Sequence, residues 1–172
     1  MTTAERVCAV LEANGIGHAL IGAAALAARG VARSTYDIDL IISDPRVLEP
    51  RLWTPLQEGG ANVDIRRGDA DDPLGGVVRI EASTDRPVDL ILGKHAWHTR
   101  AVTRAEPLPG GPPVVLARDL VLLKLYAGGP QDLWDVRELL KQPDAETLFA
   151  DVSADLVSLP AAMQDLWRTI GA

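Results

Sequence analysis

The sequence has little of several features that would assign a protein to a particular class. It contains one cysteine, Cys8, so no disulfide can form within the chain, and we expect a reducing, cytoplasmic location. No apolar run approaches the roughly 18 residues that a membrane span needs. The first residues include acids and lack a signal-peptide pattern, so we expect no membrane partner.

Basic and aromatic residues are also scarce. Lys and Arg total 17 against 24 Asp and Glu, which gives a net charge of -7, whereas a non-specific nucleic-acid binder normally carries a basic surface. This balance argues against non-specific DNA binding. It does not exclude a nucleotide held through metal ions, because a bound cation reverses the local field. Aromatic residues make up 4% of the chain, so aliphatic side chains must fill the core.

What is present is a mixture of helical and strand patterns within 172 residues, a length typical of one domain. The order is helix, strand, helix, strand, helix, a group of short strands, and then helices. This order favours an α+β fold in which a mixed β-sheet is flanked by helices. We expect a single domain over 1–172, with the sheet-containing core at about 1–116 and a helical C-terminal part at about 117–172.

Three segments carry more specific signals. Asp44-Pro45 suits a helix start, which predicts a helix up to about Glu58. The segment "PLPGGPPVVL" at 107–116 predicts a loop with at most one edge strand, because central strands tolerate proline poorly. His95 and His98 are three residues apart in a predicted short helix. A solvated helix face is favoured for them over the lining of a binding site.

The segment "DIDLIIS" places two carboxylates in a strand that otherwise reads as buried. Strand side chains alternate, so Asp37 and Asp39 share a face and their Cα atoms lie about 6.6 Å apart. That separation allows both to reach one divalent cation, or two cations about 3.5–4 Å apart. Like charges this close repel unless a cation neutralises them, and Mg²⁺ suits such ligands. A pair that only caps the strand end is the alternative.

Two further features are candidates for the same site. Asp89 interrupts the apolar strand "PVDLIL", and three carboxylates converge if this strand neighbours that of Asp37 and Asp39; otherwise a structural role is equally consistent. Gly22 and Ala23 lie in a strand-to-helix turn, "IGAAALAARG", where glycine permits close approach of a phosphate to backbone N–H groups. Tight packing of small residues is the alternative for this turn.

These residues carry a resemblance to a known family. The block "IGAAALAARGVARSTYDIDLII" resembles the signature of the DNA polymerase beta-type nucleotidyltransferase superfamily. More narrowly, it resembles small bacterial nucleotidyltransferases related to abortive-infection toxins, a toxin–antitoxin-like class. The later "ARDLVLLKLYAGGPQDLWDVRELL" is similar to a helical segment of these relatives, and together the matches span about 15–141. The matching residues are Gly22, Ala23, Arg33, Thr35, Asp37, Asp39, Lys124, Asp132 and Asp135.

The resemblance implies an enzyme that moves a nucleoside monophosphate from a nucleoside triphosphate to an acceptor hydroxyl, with Mg²⁺ or Mn²⁺ as cofactor. It implies that Asp37, Asp39 and Asp89 bind the metal and act in catalysis, with Asp89 helping to deprotonate the acceptor. Small molecules, RNA and proteins are all acceptors in the wider superfamily. Ala23 departs from the pattern, because relatives have Gly or Ser there. A catalytically weak or inactive nucleotide-binding or regulatory protein is therefore the alternative.

The resemblance also implies a set of nucleotide contacts. The turn at 22–23 would hold the β- and γ-phosphates, and basic side chains would contact phosphate oxygens. For Arg33 the alternative is a surface ion pair, and for Lys124 it is a buried pair with Asp132 or Asp135. The residues expected to bind nucleotide are Gly22, Ala23, Arg33, Thr35 and Lys124.

Overall fold

A computed structural model describes residues 1–83 and 85–170 of the protein. The chain divides into two compact units. Unit 1 comprises Met1–Ala24 and Ser34–Val115, and unit 2 comprises Ala25–Arg33 and Leu116–Ala172. Within the described ranges, no helix combines the length and the apolar character needed to cross a membrane.

The strands all belong to unit 1 and form one mixed sheet. They are β1 (His18–Leu20), β2 (Ile38–Ile42), β3 (Asn62–Arg67), β4 (Gly76–Glu81), β5 (Val88–Leu92), β6 (Glu106–Leu108) and β7 (Gly111–Val114). Their order across the sheet is β3-β4-β5-β2-β1-β7-β6. β2 is parallel to β5, β1 is parallel to β7, and the other neighbours are antiparallel.

Helices accompany the sheet in unit 1 and form most of unit 2. Thr2 and Glu5 form the capping box that their spacing predicts, and the first helix starts there. The α+β fold with a mixed sheet and flanking helices, expected from the sequence, is confirmed. The helices are α1 (Thr3–Ala13), α2 (Gly22–Ala28), α3 (Thr54–Glu58), α4 (Ala96–Thr103), α5 (Ala117–Ala127), α6 (Pro130–Leu139), α7 (Ala145–Leu156) and α8 (Ala161–Ile170).

The segment between β2 and β3 is less regular than predicted. Instead of one helix from 45 to about 58, it contains 3₁₀ turns at Pro45–Leu48 and Pro50–Trp53, followed by the short α3. Pro50 has no N–H, and it forces Glu49 into an extended conformation with ψ 117°, which interrupts a continuous helix. Buried Trp53 fixes the turns, because its Nε1 donates to the Val47 carbonyl at 2.8 Å.

The proline-rich segment contains two strands, so the prediction of at most one was wrong. β6 forms the edge of the sheet, and β7 lies between β6 and β1. The prolines are tolerated because β7 pairs with β1 at Val114, after Pro112 and Pro113, and the next N–H, that of Val115, donates to Leu20 at 3.2 Å.

The histidines of α4 also differ from expectation. His98 is fully buried, so the predicted solvated face is wrong for this residue. Its Nδ1 accepts a hydrogen bond from the His95 backbone N–H at 3.2 Å, at the start of the helix. Burial lowers the pKa of His98 to about 4, with a smaller contribution from His95, so the ring is neutral at pH 7.

Candidate active site

The parallel pairing of β2 with β5 brings two of the predicted carboxylates side by side. Asp39 lies directly opposite Asp89 in the register of these strands. Residues at one register position of neighbouring strands face the same side of a sheet. Asp37 lies immediately before the first residue of β2. All three acids therefore lie where β2 and β5 begin.

An arginine that the sequence analysis did not identify joins two of these acids. Arg79 lies on β4, opposite Asp89 in the antiparallel register of β4 and β5. Its Nη1 donates to Asp89 Oδ2 at 2.7 Å and to Asp37 Oδ2 at 3.3 Å, and its Nε donates to Glu81 at 2.8 Å. Asp37 and Asp89 thus converge on one cationic nitrogen.

Burial and the charge of Arg79 act in opposite directions on the pKa of Asp89. Its side chain is 16% exposed, and this burial raises its pKa above the usual value. The charge of Arg79 lowers the pKa, whereas that of Asp37 raises it. The net direction is upward, so Asp89 binds a proton more readily than an exposed aspartate does.

The predicted phosphate-binding turn packs directly against one carboxylate. Gly22 has φ +63°, a left-handed conformation that favours glycine, and a Cβ atom there would lie 2.0 Å from Asp39 Oδ2. The N–H of Ile21 donates to the Asp39 carbonyl at 2.9 Å. Ala23 follows with 4% of its surface exposed. The absence of a side chain at Gly22 therefore makes room for Asp39.

Thr35 supports the loop that carries Asp37. Its hydroxyl accepts from the Asp37 N–H and donates to the Asp37 carbonyl, both at 3.3 Å. Arg86 Nη2 donates to the Thr35 carbonyl at 2.6 Å. This geometry gives Thr35 a structural contact, and its contact with nucleotide stays a prediction.

In unit 2, the two basic residues that were predicted to contact phosphate share an acidic partner. Fully buried Asp135 accepts from Arg33 Nη1 at 2.5 Å and forms an ion pair with Lys124 Nζ at 2.8 Å. Lys124 also bonds to Asp132 at 2.8 Å. Both basic side chains therefore make ion pairs of the kind that the sequence offers as the alternative to phosphate contact.

The acids of unit 1 suit a divalent cation chemically. Among the residues described, no three His, Cys, Asp or Glu side chains are arranged to hold a metal ion as they stand. Asp37 and Asp89 nevertheless both contact the same atom of Arg79, so their oxygens can share one cation. Carboxylate oxygens are the ligands that Mg²⁺ prefers. Asp37 and Asp89 are therefore the residues that could hold a metal ion here.

Comparison with solved structures identifies the fold of the chain. The solution structure of the antibiotic-resistance factor ANT(2'')-Ia is 17% identical, covers 88% of this chain and 88% of its own, and superposes with a TM-score of 0.55. The crystal structure of ANT(2'')-Ia with adenylyl-2''-tobramycin is 18% identical, covers 87% of this chain and 92% of its own, and also has a TM-score of 0.55. The chain has the nucleotidyltransferase fold, and the resemblance seen in the sequence is confirmed at that level.

A third structure, of an antigenic nucleotidyltransferase-like protein from Paracoccidioides brasiliensis, is 16% identical and covers 94% of this chain and 90% of its own, with a TM-score of 0.47. No protein-family model matches the sequence, and no curated protein matches it either.

Proposed function

We propose that the protein is a metal-dependent nucleotidyltransferase, which moves a nucleoside monophosphate from a nucleoside triphosphate to a hydroxyl group. One observation carries the proposal: in a nucleotidyltransferase fold, Asp39 is paired with Asp89, and Asp89 and Asp37 meet at one cationic atom. Carboxylates that repel each other are stabilised by a bound cation. Enzymes that transfer phosphate groups use clustered carboxylates in this way, to hold metal ions.

Asp37, Asp39 and Asp89 would hold Mg²⁺ or Mn²⁺ in this proposal. The bound metal would neutralise negative charge on the phosphates as the transferred group moves. Asp39 is held against the Gly22 turn, and Thr35 holds the backbone of Asp37. These contacts fix the two acids before any ligand binds, which lowers the cost of assembling the site.

Asp89 is the proposed proton acceptor. The acceptor hydroxyl oxygen forms a bond to the α-phosphorus, and the bond from that phosphorus to the pyrophosphate oxygen breaks. Pyrophosphate leaves with the bonding electron pair, and the hydroxyl proton passes to the Asp89 carboxylate. Asp89 is proposed for this role by the resemblance seen in the sequence.

The turn at Gly22 and Ala23 is the proposed contact for the β- and γ-phosphates. This contact is proposed by resemblance to the family signature, and the phosphates would have to reach the backbone N–H groups on a side that the Asp39 carboxylate does not occupy. Thr35, Arg33 and Lys124 are proposed as further nucleotide ligands by resemblance. Phosphate contact by either basic residue would have to compete with its ion pairs in unit 2.

We propose a small molecule as the acceptor class. The excess of acidic residues, 24 against 17, disfavours a large RNA, whose phosphates a basic surface would attract. ANT(2'')-Ia was crystallised with an adenylylated small molecule, adenylyl-2''-tobramycin. Because the identity is only 18%, we do not propose the same compound as the acceptor of this protein, and the proposal covers only the class of acceptor.

Nucleotide binding without transfer is the second candidate function. Two observations favour it: position 23 has a buried methyl group where a hydroxyl would contact phosphate, and Arg79 already neutralises Asp37 and Asp89. In this case, the same acids would bind a metal–nucleotide complex whose α-phosphate is not attacked.

Melting temperature with and without ligand tests the proposal. Nucleoside triphosphate with Mn²⁺ should raise the melting temperature of the natural protein, because a ligand that binds the folded state stabilises it. Asp37→Asn combined with Asp39→Asn should abolish this rise. Asp64→Asn is the matched control, because Asp64 is a half-exposed acid on β3 paired with Arg66. A full response in the double variant would place the nucleotide elsewhere.

Transfer separates the two candidate functions. The protein, a nucleoside triphosphate labelled at its α-phosphate and the small-molecule fraction of a bacterial extract are incubated with Mn²⁺. Label should appear in a new compound, and Asp89→Asn should prevent it. Nucleotide-dependent stabilisation without any transferred label would support the binding protein instead.

A further inference from the structure

Arg79 lies between two of the acids that are proposed to bind the metal ion. Its Nη1 bonds to one oxygen of Asp89 at 2.7 Å and to one of Asp37 at 3.3 Å. These oxygens belong to two of the three acids proposed to ligate the metal. A guanidinium nitrogen and a divalent cation cannot both lie between the same oxygens, since they would overlap and repel.

Arg79 is also placed so that its terminal nitrogens can move. Its Nε is bonded at 2.8 Å to Glu81, whose side chain is 47% exposed. The Arg79 side chain is 33% exposed, and a cavity of about 190 Å³ lies beside it. The lining residues are Asp64, Arg66, Val77, Arg79, Asp89 and Ile91. The guanidinium therefore lies beside space into which it can move.

From this geometry we infer that Arg79 is an internal counter-cation that holds Asp37 and Asp89 together before metal binds, and that the metal must displace it. The inference rests on the proposed metal site. Arg79 is a positioning residue, since it acts through the two acids. It stabilises the metal-free site by compensating repulsion, and it weakens metal binding because the displaced ion pairs must be broken.

Metal affinity measures this competition directly. Mn²⁺ binding to the nucleotide-free protein is followed by titration calorimetry in Arg79→Gln, Arg79→Lys and the natural protein. Arg66→Gln is the matched control, because Arg66 lies on β3, lines the same cavity and pairs with Asp64. It removes one positive charge from the same face without touching Asp37 or Asp89.

Arg79→Gln should tighten Mn²⁺ binding by about tenfold relative to Arg66→Gln, which corresponds to about 1.4 kcal/mol. Arg79→Lys keeps the charge and should restore an affinity close to that of the natural protein. Without metal, Arg79→Gln should melt at a lower temperature than the natural protein. Saturating Mn²⁺ should remove this difference, since the metal then supplies the missing positive charge.

The outcomes also separate this inference from the proposed function. Mn²⁺ affinity that is equal or weaker in Arg79→Gln than in Arg66→Gln would overturn the inference and leave the metal site standing. A melting deficit that persists at saturating Mn²⁺ would assign Arg79 an ordinary structural role. If neither the natural protein nor Arg79→Gln takes up Mn²⁺, the metal site itself is wrong and the inference falls with it.

Discussion

Gly22 lies so close to Asp39 that a Cβ atom on the glycine would be 2.0 Å from Asp39 Oδ2, 2.9 Å from Cγ and 3.1 Å from Cβ. The turn and the carboxylate therefore form one packed unit, although they belong to different elements. Any residue other than glycine would have to push Asp39 away from its position beside Asp89. This relationship makes position 22 a direct test of whether the position of Asp39 matters.

Gly22→Ala should lower the free energy of unfolding and abolish the metal-dependent response to nucleotide. Alanine costs about 1–2 kcal/mol in a left-handed conformation, and overpacking against Asp39 adds about 1–3 kcal/mol. Gly15→Ala is a matched control, since Gly15 has the same φ of +63° and open space around its Cβ position. Chemical denaturation gives the stabilities, and thermal shift with Mn²⁺ and nucleotide gives the response.

The Gly15→Ala control separates the effect of the contact with Asp39 from the effect of placing alanine in a left-handed backbone conformation. Gly15→Ala should lose stability and keep the nucleotide response. In an Asp39→Ala background, Gly22→Ala should cost little more than Gly15→Ala does, because the clashing oxygen is gone. Normal nucleotide affinity in the single Gly22→Ala variant would contradict a role for Asp39 at its present position.

Ala23→Ser should tighten nucleotide binding and destabilise the free protein. Position 23 is 4% exposed, so an added hydroxyl is buried, and without a partner it costs about 1–3 kcal/mol. A triphosphate held by this turn would supply the partner and tighten binding by up to about tenfold. Calorimetric titration with nucleotide at saturating Mn²⁺ checks the affinity. Lower stability with unchanged affinity would mean that the phosphates bind elsewhere.

Lys124→Met should destabilise the protein by about 2 kcal/mol or more. The substitution leaves fully buried Asp135 with one fewer cation, and uncompensated buried charge is costly. Lys141→Met, which removes an ion pair whose lysine is 66% exposed, should cost less than about 1 kcal/mol. Urea unfolding of both variants gives the comparison. Equal costs would show that Lys124 contributes little to the stability of unit 2.

Stability should rise with pH across the range set by His98. Its pKa falls from the ordinary 6.5 to about 4 in the folded protein, so between these values the unfolded chain binds a proton that the folded chain does not. The free energy of unfolding should therefore drop by up to about 1.4 kcal/mol for each unit of pH below 6.5, until pH 4. His98→Asn should be less stable at pH 7 and should show a flatter dependence. If the free energy of unfolding depends on pH equally in the natural protein and in His98→Asn, His98 is not the cause of this dependence.

Much of the fold could be predicted because local signals agreed with the tertiary structure. Short apolar segments interrupted by carboxylates located β2 and β5, and the capping box located the start of α1. Strand alternation predicted that Asp37 and Asp39 share one face of their strand. That Asp89 is their neighbour depended on strand order, which the sequence left open.

Arg79 could not be found in this way. In "GVVRIEA", alternation puts Arg79 on the face opposite the buried Val78 and Ile80, which is also where a solvated arginine belongs. Its pairing with Asp89 depends on the antiparallel register of β4 and β5, a contact that no local pattern encodes. His98 was misinterpreted for a similar reason, because no local pattern shows that α4 buries this ring, whose Nδ1 accepts from the His95 N–H.

The parallel pairing of β2 with β5 also determines when the site can exist during folding. The hairpin of β3 and β4 lies between them in the chain, and hairpins of this kind form in about 1–10 μs. Contacts that close a longer stretch of chain form later, because the loop entropy must be overcome first. Asp39 and Asp89 are such a contact, since the chain from 43 to 87 separates their strands. If the proposed site binds metal, the rate at which a refolding chain begins to bind metal would therefore report the rate at which β2 pairs with β5.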